Sequence, residues 1–197
     1  MKQEMSNNSL SRYSEWLRAR IAHMHGFTII ELMVTIGILA ILLMVAIPSF
    51  NSALINYRLT SISNTFVASA QLARSEAIKR NGKVTMCKSA DGLTCTTGGW
   101  QQGWILYQDV NNNGAINSPE DVIIHTESAT AANFSMTFVD NYISFIATGG
   151  TELTNGAPQF GTVNLCSQSA PVGPARQMVI NAVGRLRVSK DAVSVCP

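Results

Sequence analysis

The 197-residue chain has room for one domain plus an appendage, and 46% hydrophobic against 13% charged residues is lean in charge for a freely soluble domain. The formal charge is +2, and the first 26 residues account for all of it, with Lys2, Arg12, Arg18 and Arg20 against Glu4 and Glu15. The remainder sums to zero, which excludes any argument from bulk attraction to a charged partner and leaves only the distribution of charge.

The first element is an apolar run over 27–47 whose one ionisable residue is Glu31. It is long enough to cross a bilayer as a helix. Arg12, Arg18 and Arg20 precede it, so the N-terminus is expected in the cytoplasm and everything after Ser49 outside. The run is too long for a secretory h-region and ends at Ile47-Pro48 without a small-residue cleavage site. A plain membrane anchor would satisfy these facts, but it leaves Glu31 unexplained. A carboxylate in an apolar helix costs about 2.5–3.5 kcal/mol at mid-membrane and needs a partner. No Lys or Arg lies between Arg20 and Arg58. An amino group freed by cleavage just before Phe27 would supply the cation, on this chain or a neighbour.

The string His25-Gly26-Phe27-Thr28-Ile29-Ile30-Glu31-Leu32 resembles the type IV prepilin processing site. The resemblance implies cleavage after Gly26 by a prepilin peptidase, N-methylation of Phe27, and pairing of Glu31 with an N-terminal amine during assembly. Pro48 matches the helix-breaking proline of that family, where a lost i→i−4 hydrogen bond kinks or loosens the helix. The chain then divides into a leader over 1–26, a transmembrane and assembly helix over 27–48, an amphipathic half-helix over 49–82 and a head over 83–197.

Beyond Pro48 the residues Phe50, Leu54, Tyr57, Ile62, Phe66, Ala70, Ala73 and Ala77 approximate helical spacing and are expected to face the head. Lys79 and Arg80 suit the negative end of this helix, and Asn81-Gly82 is its stop. The head is expected to be β structure, with strands at 84–88, 104–109, 122–126, 135–139, 142–147, 159–165, 177–181 and 186–189. No long helix interrupts them, so one or two antiparallel sheets are expected. Trp100 and Trp104 are expected to pack the head against the helix, rather than to stack on nucleic-acid bases.

A second resemblance covers most of 27–188. Ala73-Arg74-Ser75-Glu76-Ala77-Ile78-Lys79-Arg80, Val84-Thr85-Met86-Cys87, Gly99-Trp100, Gly103-Trp104-Ile105 and Gly184-Arg185-Leu186-Arg187 occur in this order. That order is similar to the GspH/FimT family of pseudopilins and minor pilins. It implies an α+β, type IV pilin-like fold: a long bent N-terminal helix packed on an antiparallel β-sheet head.

Cys87, Cys95, Cys166 and Cys196 all follow the apolar run, and an even count in an exported region suggests two disulfides. Three pairings exist; nearness in sequence favours Cys87–Cys95, leaving Cys166–Cys196. A zinc site has little support, since no CxxC occurs and His125 is the sole histidine after the leader. That histidine lacks any accompanying nucleophile motif, so no enzyme is expected.

Asp109, Asn111, Asn113, Gly114 and Glu120 match the calcium-loop pattern D-x-[DN]-x-[DN]-G-x₅-E. Both flanks read as strands, so a hairpin turn is the first reading, weak calcium binding the second, and no obligatory cofactor is expected. In Gly184-Arg185-Leu186-Arg187 the two arginines are two apart and leave one face of a strand together. Lys190 follows, Arg176 begins the preceding strand, and only Asp191 opposes these four cations. Guanidinium groups spaced along a strand suit successive phosphates. The family resemblance implies that such a Gly-Arg-x-Arg motif, here Gly184, Arg185 and Arg187, contacts DNA in minor pilins serving natural transformation. The alternatives are a contact with a neighbouring pilin and a solvated strand face. Two functions follow as expectations. One is a minor pilin that helps prime or cap a pilus and holds incoming DNA. The other is a type II secretion pseudopilin with purely protein contacts.

Overall fold

The computed structural model describes residues 26–116, 119–130, 132–168 and 174–190. The leader up to His25, Asp191 and Cys196 lie outside the described residues. Helix α1 spans Ile29–Arg80 and contains Pro48. Its start follows from Thr28, whose hydroxyl accepts a hydrogen bond from the Glu31 amide at 3.2 Å. Thr-x-x-Glu is thus an N-terminal cap with Glu31 in the first turn, where a carboxylate complements the positive helix end. The other end closes on Asn81 at φ +50°. The Asn81 amide donates to Ile78 O at 3.3 Å and the Gly82 amide to Ala77 O at 3.2 Å, the two bonds of a Schellman cap.

The described residues also form eight strands: β1 (Val84–Lys88), β2 (Trp104–Gln108), β3 (Val122–Glu127), β4 (Phe134–Thr137), β5 (Tyr142–Phe145), β6 (Gly161–Ser167), β7 (Ala175–Ile180) and β8 (Leu186–Ser189). They make two antiparallel sheets, ordered β3-β2-β1-β5 and β4-β6-β7-β8. This is the antiparallel α+β architecture expected, with strand ends shifted by one or two residues. Gln159, expected to open a strand, instead sits buried beside β5. Its side chain accepts the Ser144 amide at 3.0 Å and donates to the Tyr142 carbonyl at 2.8 Å, standing in for a ladder partner.

One core joins the inner faces of both sheets to the helix residues that follow Asn51. Leu59, Ser63, Phe66, Ala70, Ala73 and Ala77 are buried at helical spacing. The Phe66 ring meets Trp100 and Trp104 edge-on, each at 5.4 Å between centroids. The expected stripe needs one correction, because Phe50, Leu54 and Tyr57 are exposed. Tracing the stripe back from Ala77 in steps of three and four reaches Ile55 and Leu59, which puts Tyr57 on the opposite side of the helix. Ser63 is tolerated inside because its hydroxyl donates to Leu59 O at 2.7 Å.

The described residues 26–50 fall in a separate unit, and along 27–50 the large apolar side chains are exposed. This stretch makes α1 long and apolar enough to cross a membrane.

The outer face of β1 and β2 is covered as well. Cys87 and Cys95 form a disulfide across a separation of 8 residues, packed with Ile105 and Tyr107. Asp91 organises the enclosed loop by accepting the Leu93 and Thr94 amides at 2.9 and 2.8 Å. Those amides, with the Thr94 and Ser89 hydroxyls, hold its carboxyl well below the usual range. Cys166 is also disulfide-bonded.

Candidate nucleic-acid interface

Strands β7 and β8 form a hairpin at the edge of the second sheet, with Val179 opposite Arg187 and Gln177 opposite Ser189. The turn is closed by Gly184 N–H to Asn181 O at 2.9 Å and by Arg185 N–H to the Asn181 side-chain oxygen at 2.9 Å. Gly184 sits at φ +74°, and a Cβ there would overlap the Gly149 carbonyl oxygen. The tip is also tied down by the Thr151 amide, which donates to Ala182 O at 3.0 Å. The Thr151 hydroxyl is 3.0 Å from Asn181 O. The glycine of the motif is therefore where the hairpin docks on the neighbouring turn.

Arg185 and Arg187 are exposed on one face. They line a groove of about 800 Å³ with Gln177, Val179, Asn181 and Ser189, and among the described residues no carboxylate lines it. The alternation expected from sequence brings these two arginines together. It does not bring in the other two cations. Arg176 shares the inward face of β7 with Met178 and Ile180 and is buried. Its guanidinium lies 3.4 Å from the Asn56 side-chain oxygen and 3.5 Å from Thr60 Oγ1. Lys190 lines a different groove, with Arg176. The four-cation hairpin is thus two outward arginines and, separately, Arg176 with Lys190.

Most cations over 79–88 are already engaged. Lys79 and Arg80 hold Glu76 at 3.2 and 2.7 Å, and these bonds, that of Arg80 first, lower its carboxyl below the usual range. Lys83 pairs with Glu152 at 3.4 Å. Lys88 is buried beside Trp100 and donates to Asn141 Oδ1 at 3.0 Å; burial pulls its pKa down, with Asp140 opposing. The fold thus gives these cations local partners.

The calcium-like stretch connects β2 to β3. Asp109 is 1% exposed, and its two oxygens accept the Asn113 and Gly114 amides, each at 3.0 Å, and the Thr85 hydroxyl at 3.1 Å. Asn113 Oδ1 accepts the Ala115 amide at 2.8 Å. Asp121 accepts the Val110 amide at 3.0 Å, while Asn111 and Glu120 are exposed. Asn112 and Gly114 take φ of +60° and +72°, the left-handed conformations a tight connection needs. Among the described residues no group of three or more His, Cys, Asp or Glu could share a metal ion. His125 is half-exposed on β3, 3.5 Å from Glu127.

Comparison with known proteins agrees with this architecture. The family model described as Type II transport protein GspH matches residues 63–184. The Prokaryotic N-terminal methylation motif matches residues 21–47. The "Prepilin peptidase-dependent protein D" of Escherichia coli strain K12 is 38% identical over 72 residues, or 36% of this chain. The chain spans about half (49%) of that relative's length. The crystal structure of the type IV minor pilin FimU of Pseudomonas aeruginosa PAO1 superposes with a TM-score of 0.53 at 19% identity, over 68% of this chain and 90% of that one. A second crystal form of FimU gives a TM-score of 0.51 at 18% identity, over 66% and 92% of the two chains.

Proposed function

The chain belongs to the family of the Type II transport protein GspH, and from that premise we propose that it is a minor type IV pilin whose Arg185–Arg187 face binds DNA for uptake. The family and the fold are those of pilins and pseudopilins, structural subunits that are processed by a prepilin peptidase and associate with other pilins. The apolar N-terminal helix and the prepilin motif fit anchoring in the inner membrane. In the proposed sequence, cleavage after Gly26 exposes Phe27 for methylation, and Glu31 meets an N-terminal amine as the apolar helix enters a filament. Pro48 leaves that helix able to bend.

The observation that carries the DNA reading is a groove on an edge hairpin with two exposed guanidinium groups on one face and, among the described residues, no acid lining it. Residues two apart on a strand stand about 6.8 Å apart, close to the step between successive phosphates of an extended strand. Contacts of this kind recognise backbone rather than base sequence. The second reading, a secretion pseudopilin with protein contacts only, is favoured by membership of the family described as Type II transport protein GspH.

The two are separated by fluorescence anisotropy with labelled DNA, using full-length protein in detergent across a salt series. We expect binding that weakens with salt and is indifferent to sequence. In Arg185→Gln/Arg187→Gln the slope of log K against log salt should fall by about 2, one for each lost phosphate contact. Binding that is undetectable, or unchanged in the double variant, removes the DNA reading and leaves a structural pilin or a secretion pseudopilin.

A further inference from the structure

We propose that Arg176 and Lys190 form a phosphate site for the head group of an anionic phospholipid, occupied while the subunit is held in the membrane. The proposal rests on membrane anchoring and is independent of the DNA reading. Arg176 is 7% exposed, yet among the described residues every acceptor its guanidinium reaches is neutral: Ala175 O at 2.8 Å, Asn56 Oδ1 at 3.4 Å and Thr60 Oγ1 at 3.5 Å. Among the described residues no carboxylate pairs with Arg176 or Lys190. A buried guanidinium without counter-charge is costly, and its planar fork matches the oxygens of a phosphate.

The guanidinium lines a groove of about 650 Å³, with Lys190, Asn56, Tyr57, Thr60 and Pro174 around it and no acid among the described residues that line it. Lys190 is exposed and adds a second cation. Tyr57 is 75% exposed, an apolar ring with a polar tip of the kind enriched at membrane–water interfaces. Chain reach selects the lipid over other phosphates. Asn56 follows Ile47, the last residue of the apolar run, by nine positions. Nine residues span at most about 30 Å even when fully extended. The groove therefore cannot stray far from the bilayer surface at which that run ends.

The test is native mass spectrometry of full-length protein from detergent micelles doped with equal phosphatidylglycerol and phosphatidylcholine. We expect one phosphatidylglycerol to be retained preferentially, by about fivefold for each of the two cations. Lys190→Gln should lower that preference about fivefold, and Arg185→Gln/Arg187→Gln should leave it unchanged. Arg176→Gln should lower it about fivefold as well, and the Arg176→Gln/Lys190→Gln double variant should abolish it; because Arg176 is buried, its unfolding midpoint is measured alongside, and the exposed Lys190 variant carries the test if it unfolds. Displacement by millimolar glycerol 1-phosphate or inorganic phosphate identifies the phosphate as the recognised group. Equal retention of the two lipids, or a preference indifferent to Lys190→Gln, overturns the proposal. So does displacement of the lipid by an oligonucleotide in the Arg185→Gln/Arg187→Gln variant, which would reassign the groove to nucleic acid.

Discussion

Position 184 is closed to side chains by two separate constraints, a φ of +74° and the Gly149 carbonyl oxygen standing where a Cβ would go. A left-handed conformation alone costs a non-glycine residue about 1–2 kcal/mol, and here the backbone of the adjoining turn must also move. Gly184→Ala should therefore destabilise the protein by at least about 2 kcal/mol, read as a lowered urea midpoint. It should also weaken DNA binding although both arginines remain, whereas Val183→Ala, at an exposed position, should do neither. Arg185 and Arg187 were legible from sequence, because a period of two is all that is needed to place them on one face. Arg176 was misgrouped, although the signal was there: it has the same parity as Met178 and Ile180, which reads it inward. Lys88 could not have been read this way, since β1 is buried on both faces and alternation carries no information on such a strand.

Helix α1 meets two different environments along one element. Up to Phe50 its large apolar side chains are exposed, and from Leu59 onward one stripe of it lies in the head core. Phe66→Ala should thus cost the head about 3–5 kcal/mol, followed in detergent through the fluorescence of Trp100 and Trp104, which that ring touches. Ile36→Ala should leave the same transition where it is. Helix ends were well marked in the sequence, at Thr28-x-x-Glu31 and Asn81-Gly82, because caps are local chemistry. The inward stripe was placed a little off because Tyr57 and Leu59 are equally apolar by inspection and only long-range packing chooses between them. Strand positions were legible for the same local reasons as the caps. Strand ends were not, because tertiary hydrogen bonds such as those of Gln159 and Asp109 decide where a ladder stops.

For the molecule as a whole, the disulfide and the sheet topology decide how the head holds together. Cys87–Cys95 closes a short loop over the outer face of β1, and restricting the unfolded chain by such a loop stabilises by roughly 2–3 kcal/mol. Cys87→Ser/Cys95→Ser should lose about that much in urea unfolding. Since Cys87 belongs to a strand flanked on both sides, the loss should appear in the main transition rather than as local fraying. Which strands pair was the least legible property, because β4 and β5 are consecutive in the chain yet belong to different sheets. That exchange has a kinetic consequence. A chain synthesised from its N-terminus delivers β1, β2 and β3 first, but one side of β1 stays open until β5 arrives. By then β4 is already out and waiting for β6. The first sheet cannot be completed until β4 of the second has already been made, so the growing chain carries unpaired strand edges until late in its synthesis. Such edges are what chaperones and aggregation compete for.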